Sequence, residues 1–181
     1  DGFFFLISTL KQLNQFTDDD IWFQARTAAQ KGFLDATKRL SILAGASSDD
    51  ISLAIEDPIK VIDKGPGTDK LHHEIFIIAL GRLAKKDPLQ AAENLINNET
   101  YLSTSEYKAA WAQIAFPSSL ALSPDALSYW KNAKDTPLSS SAQEWRVRMA
   151  LRAYDWQSVS QWIDEMPEKL KDQTSWVYWK G

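Results

Sequence analysis

The sequence predicts an all-α fold: an α-α superhelix, a helical-repeat solenoid of antiparallel helix pairs. Three observations carry this. Helix-start signals recur throughout, with Asp57-Pro58, Asp87-Pro88 and Ser123-Pro124 each setting a side-chain acceptor before a proline at the first helical position. Apolar residues fall at i, i+3, i+4 and i+7, and no segment shows the alternation of a strand. A helix-corner-helix unit also repeats. Trp22 lies 123 positions before Trp145, and at that offset Ala28 falls on Leu151, Gly32 on Asp155, Phe33 on Trp156, Ala36 on Val159 and Leu40 on Ile163. Leu83, Asp87, Ala91 and Leu95 form a third copy in the places of Ala28, Gly32, Ala36 and Leu40. Such pairs cannot cover their own apolar faces and bury them on neighbours.

The elements follow in order. Phe3, Leu6, Ile7, Leu10 and Leu13 make the stripe of a helix over 3–15. Thr17 and the run Asp18-Asp19-Asp20 then open a helix over 19–31, because carboxylates favour the positive end of the helix dipole. Helices over 33–43 and 48–63 follow, the latter broken at Asp57-Pro58, and Gly65-Pro66-Gly67 is the firmest turn. The apolar run 75–78 continues through Ala79, Leu80, Leu83 and Ala84, which makes 69–85 a helix buried on most sides rather than a strand.

Asp87-Pro88 starts a helix over 88–97. Ser103 with Glu106 has capping-box spacing at the head of 104–116, and Ser141 with Glu144 repeats it at the head of 141–154. Each cap contributes about 1 kcal/mol, enough to fix where a short helix begins. Ser123-Pro124 opens 124–132. Val147, Ala150, Leu151 and Tyr154 form one stripe, and Val159, Trp162, Ile163 and Met166 form the next on a helix over 156–164. Short helices over 167–172 and 175–180 complete the chain. Residues 1–181 read as a single domain, with 135–141 as the most linker-like stretch and possible sub-boundary.

Composition narrows the function classes. A chain of 181 residues buries about 70% of its unfolded surface and needs no metal or disulfide to fold. With a net charge of −4 and Lys and Arg scattered throughout, it has no basic footprint for nucleic acid. Cysteine is absent, which removes thiolate and disulfide chemistry. The longest apolar runs, 3–7 and 75–80, are far short of the roughly 20 residues of a membrane span. Residues 1–7 lack the pattern of a signal peptide, and both ends read as cut from a longer protein.

Candidate chemistry is sparse. His72-His73 point about 100° apart on a helix and have no third His or Cys to complete a zinc site, so they read as surface or capping groups. Asp18-Asp19-Asp20 lacks the spaced ligands of a calcium loop. Gly65-Pro66-Gly67-Thr68-Asp69-Lys70 lacks the spacing and the preceding strand of a phosphate loop. No Gly-x-Ser-x-Gly elbow occurs. Glu144, Asp155, Asp164 and Glu165 are the carboxylates that could pair for glycoside hydrolysis, although a cap, a corner and a helix end explain their positions. Trp22, Trp111, Trp130, Trp145, Trp156, Trp162, Trp176 and Trp179 read as packing between layers, and only one exposed on a concave face would suit stacking on a sugar. No catalytic, cofactor-binding or metal residue is assigned.

Glu144-Trp145-Arg146-Val147-Arg148, Ala150-Leu151-Arg152, Asp155-Trp156, Trp162-Ile163, Met166-Pro167, Trp176 and Tyr178-Trp179 together resemble the end of the superhelical region of the soluble lytic murein transglycosylases. Leu80-Gly81-Arg82-Leu83-Ala84, Asp87-Pro88, Ala91, Ser123-Pro124-Asp125-Ala126-Leu127 and Trp130 extend the resemblance in the same order, from about Leu40 onwards. It implies a periplasmic parent protein that cleaves the bond between N-acetylmuramic acid and N-acetylglucosamine in peptidoglycan, leaving a 1,6-anhydro end. The family's catalytic Glu-Ser pair and Gly-Leu-Met-Gln motif are absent from this sequence. The resemblance therefore implies a lysozyme-like catalytic domain beyond Gly181, a non-catalytic scaffold role for this segment, and glycan strands and that catalytic domain as partners. No cofactor is implied. The competing reading is a stand-alone interaction module of tetratricopeptide type, whose period of about 34 residues is not kept here.

Overall fold

The computed structural model describes residues 2–173 and Trp176. Among these it contains twelve α-helices and no strand: α1 Gly2–Gln12, α2 Asp18–Gln30, α3 Leu34–Leu43, α4 Ser48–Glu56, α5 Pro58–Lys64, α6 Lys70–Ala84, α7 Pro88–Asn97, α8 Thr104–Leu120, α9 Ala126–Asn132, α10 Ser140–Arg152, α11 Trp156–Asp164 and α12 Glu168–Lys171. One 3-10 turn, Glu99–Tyr101, leads into α8. Apart from Trp176, the helix expected over 175–180, with Tyr178 and Trp179, lies outside the described residues.

Layering follows chain order. The pairs α2/α3, α4/α5, α6/α7, α8/α9 and α10/α11 each pack internally, and α4, α6, α8 and α10 then pack in succession on one another. The core runs along this inner row. In α6 everything from His73 to Gly81 is buried, and in α8 everything from Ala109 to Ser119, as an apolar helix without a polar face requires. One relationship crosses the layers: α2 also packs on α6 and α8.

Side chains tie neighbouring helices together at their ends. Arg82 Nε on α6 donates to the Ile55 carbonyl near the end of α4, at 3.2 Å. Trp130 Nε1 on α9 donates to Ser119 Oγ on α8, at 2.7 Å, which satisfies an otherwise buried indole N–H. The caps agree with the sequence at Thr17 and Ser103, which form capping boxes with Asp20 and Glu106, and at Asp87, which accepts from Gln90 N.

Several local expectations are corrected. Helix α10 is capped by Ser139, which accepts from Ala142 N, while Glu144 reaches Arg148 instead of closing a box with Ser141. Helix α9 begins at Ala126, two residues after Pro124, which is part of the preceding turn. Asp57 makes no side-chain capping bond, although Pro58 does occupy the first turn of α5. Helix α8 runs through Pro117 to Leu120, beyond the expected stop at 116. Burial of the whole helix outweighs the one backbone bond that proline cannot donate. On α1 only Ile7 is buried, while Phe3, Leu6 and Leu13 are exposed, so the expected stripe is not a core face.

The repeat is also re-registered. Phe33 N bonds to Ala28 O at 2.9 Å and Asp155 N to Ala150 O at 3.0 Å, with Gly32 and Tyr154 in the left-handed conformation at the two corners. These are Schellman closures, and they align Gly32 with Tyr154 at an offset of 122, not 123. The corrected offset places fully buried Ala25 on Val147, Thr37 on Val159 and Ser41 on Ile163. Aligning tryptophan with tryptophan sets the register off by one residue. The i, i+7 spacing that puts Tyr154 in a stripe with Val147 is also corrected: that residue lies past the helix end and is 77% exposed. For a side chain larger than glycine the left-handed backbone costs about 1–2 kcal/mol. The chain accepts this at Leu122 (φ 54°) and Tyr154 (φ 56°).

Candidate functional site

A cleft of about 370 Å³ opens where α2, α6 and the start of α8 meet the segment containing Thr136 and Pro137. Its walls carry Asp19, Asp20, Arg26, Lys70, Glu74 and Glu106. The α2 capping box puts the first-turn aspartates at its mouth, and the crossing of α2 over α6 brings Arg26 to Glu74.

Every carboxylate in the cleft is engaged. Arg26 Nη1 lies 2.5 Å from Glu74 Oε2, with both side chains largely buried. Asp19 pairs with Lys70, and Asp20 accepts from the Thr17 N–H and hydroxyl. Both Glu106 oxygens lie 3.0 Å from His73 Nδ1, and His73 Nε2 lies 3.1 Å from the Gly67 carbonyl. Partial burial works against the Glu106 carboxylate, but the Ser103 N–H and hydroxyl together with the His73 ring outweigh it and hold its pKa below the usual glutamate value. General acid catalysis needs a carboxyl held protonated and aimed at a leaving group. The carboxylates of this cleft are instead taken up in ties between α2, α6 and α8 and in helix caps.

The two histidines therefore part company. His72 stays half-exposed and bonds Asp69 at its own helix start, at 2.7 Å, the capping role expected for it. His73 is buried and links α6 to α8 and to the Gly65-Pro66-Gly67 turn. Sequence reasoning missed that link, because nothing local announces a partner 33 residues away. Among the described residues no group of three or more His, Asp or Glu side chains could hold a metal ion.

Of the four carboxylates considered for glycoside hydrolysis, three are held by cations and two stand far apart. Asp155 and Asp164 stand at opposite ends of α11, about 13 Å apart along its axis, beyond the roughly 5–9.5 Å that such chemistry uses. Glu165 pairs with Arg146 at 2.9 Å and Glu144 with Arg148 at 3.1 Å. Asp155 caps Ser158 and lies 2.8 Å from Lys131. Hydrogen bonds from Lys131 and Ser158 lower its pKa below the ordinary aspartate value.

Of the tryptophans, Trp22, Trp111, Trp130, Trp162 and Trp176 are buried, and Trp145 is half-buried beneath Arg148, whose guanidinium lies 5.0 Å from its ring centre. Trp156 is 53% exposed, at the α10–α11 corner, with the Tyr154 ring 6.3 Å away and edge-on. Trp179 lies outside the described residues. Interlayer packing is thus the role of most of these rings, and Trp156 departs from it.

The architecture is shared with the X-ray structure of an inactive mutant of the lytic transglycosylase Slt from Pseudomonas aeruginosa. The match has a TM-score of 0.60 at 21% sequence identity and covers 95% of this chain and 29% of that one. This chain thus spans under a third of that protein's length, and at this identity the likeness establishes a common helical fold. No family model matches the sequence, and neither does any curated protein.

Proposed function

We propose that this chain is the non-catalytic α-superhelical portion of a periplasmic lytic transglycosylase, the scaffold for a lysozyme-like catalytic domain that opens the bond between N-acetylmuramic acid and N-acetylglucosamine with formation of a 1,6-anhydro end. The observation that carries this reading is the shared layered fold over 95% of the chain, found where the sequence motifs independently resemble the same family. The satisfied ion pairs of the cleft agree with a supporting rather than a catalytic segment. In this reading residues 1–181 form one superhelical domain, with glycan strands and the catalytic domain of the same polypeptide as partners.

A tetratricopeptide-type module is less well supported. The second helices of the five pairs start behind residues 33, 57, 87, 125 and 155, an uneven series that keeps no period of about 34 residues.

The test uses purified peptidoglycan sacculi. The full product of the gene should release 1,6-anhydromuropeptides, and the 181-residue chain alone should release none. Turnover by the isolated chain, or a full product that leaves sacculi intact, would overturn the assignment.

A further inference from the structure

The first helix carries an apolar seam that the described residues leave open. Phe3, Leu6, Leu10 and Leu13 recur at i, i+3, i+7 and i+10, the spacing of a helix-on-helix contact, and the Leu13 N–H still bonds the Thr9 carbonyl at 3.1 Å. The last of the four therefore keeps helical register. Phe3, Leu6 and Leu13 are each more than half exposed, and Leu10 is half-buried. A different side of α1 holds it to the array, where Ile7 is buried, the Arg39 guanidinium lies 5.0 Å from the Phe4 ring centre and Lys11 Nζ donates to the Leu43 carbonyl. At about 100° per residue the two faces lie roughly a third of a turn apart, as on a helix with two neighbours. The opposite end of the array is finished differently. Met166, Leu170 and Trp176, which follow the last pair, are all buried. An end of a stack that faces water needs such a closure, and α1 lacks one.

We propose that the seam of Phe3, Leu6, Leu10 and Leu13 is a joint, packed in the complete polypeptide against an amphipathic helix that precedes residue 1. This inference rests on the layered fold and not on the peptidoglycan reading. Size decides between occupants from the same chain and from another molecule. Four side chains on one 11-residue helix are far fewer than the roughly 20–30 residues a side of a stable complex between separate molecules. A helix tethered in the same chain meets the seam at about millimolar effective concentration, so it needs no larger contact. Charge argues against a lipid surface, because interfacial helices carry Lys and Arg along their polar face. The only cation of α1 is Lys11, and the Leu43 carbonyl and Asp18 engage it. Length allows the partner: the stretch matched here is 29% of the solved chain that shares the fold.

The experiment compares amide hydrogen exchange in the full product of the gene and in the 181-residue chain. Amides of α1 should exchange about tenfold more slowly in the full product, because the joint suppresses local opening. Leu6→Asp, in the seam, should abolish that slowing. Phe5→Asp, at a residue 75% exposed but off the seam, should preserve it. A product shortened to begin at residue 1, retaining everything after residue 181, should exchange as fast as the 181-residue chain. Equal exchange in the two proteins, slowing that survives Leu6→Asp or the shortening, or equal loss with Phe5→Asp overturns the proposal. So does another occupant, read as dimerisation of the full product, or its binding to phosphatidylglycerol vesicles, that Leu6→Asp removes. A full product that leaves sacculi intact overturns the transglycosylase assignment and not the joint.

Discussion

A β-carbon placed on Gly81 would lie 2.5 Å from Cγ of Gln113, so α6 and α8 approach as closely as they do only because residue 81 has no side chain. Gln113 cannot swing aside freely. It is 2% exposed, accepts from Gln30 Nε2 at 2.9 Å and donates to the Arg26 carbonyl at 3.1 Å.

Gly81→Ala should therefore destabilise the protein by about 1–3 kcal/mol, the usual cost of overpacking. Urea unfolding checks this. Adding Gln113→Ala should relieve the clash, while taking the acceptor from the Gln30 amide and a second donor from the Arg26 carbonyl. The double variant is then expected to show an interaction term clearly different from zero.

At the end of α8, Leu122→Gly should stabilise the protein. Leu122 holds φ 54° to close the helix and is about half exposed, so glycine removes strain at little loss of packing. After the greater chain entropy of glycine is subtracted, a gain of about 0.5–1 kcal/mol is expected. A lower urea midpoint would contradict it.

The Arg26–Glu74 pair gives a third test. Arg26→Met leaves the Glu74 carboxylate, 5% exposed, without its cation and should cost about 3–5 kcal/mol. Arg26→Met with Glu74→Leu removes both charges and should recover most of that loss. Thermal unfolding of the single and double variants measures the difference.

Acid should expose the role of Glu106. Its folded pKa lies below the ordinary 4.5, so its contribution is complete above that value and disappears as pH falls through the lower folded one. Wild-type stability should accordingly fall below about pH 4.5. Glu106→Gln should be less stable near neutrality, with a shallower acid slope, so that the two curves converge at low pH. Parallel urea-midpoint profiles would refute this.

Most of the fold was legible because its signals are local. Thr17, Ser103 and Asp87 announce their helices within three residues, and the Val159, Trp162, Ile163 and Met166 stripe is buried as its spacing requires. What failed was decided at a distance or by competition. Ser139, not Ser141, caps α10, and burial carries α8 through Pro117. The cleft was not legible at all, since Arg26–Glu74 and His73–Glu106 join helices that only the crossing of α2 and the stacking of α8 on α6 bring together. Asp155 and Trp156 were visible as corner residues. The exposure of Trp156 matches that of Phe33, its counterpart when Trp22 is aligned with Trp145, although neither ring's spacing announces that it faces solvent.

The contact of α2 with both α6 and α8 changes how the array comes apart. A stack touching only its nearest neighbours can fray from either end, one storey at a time. Here α2 clasps two later storeys, so peeling the early pair away exposes Glu74 and Gln113 in the middle of the molecule. Residues 18–120 are thereby coupled into one melting unit, and amide protons in α2 should exchange as slowly as those at the centre of α6.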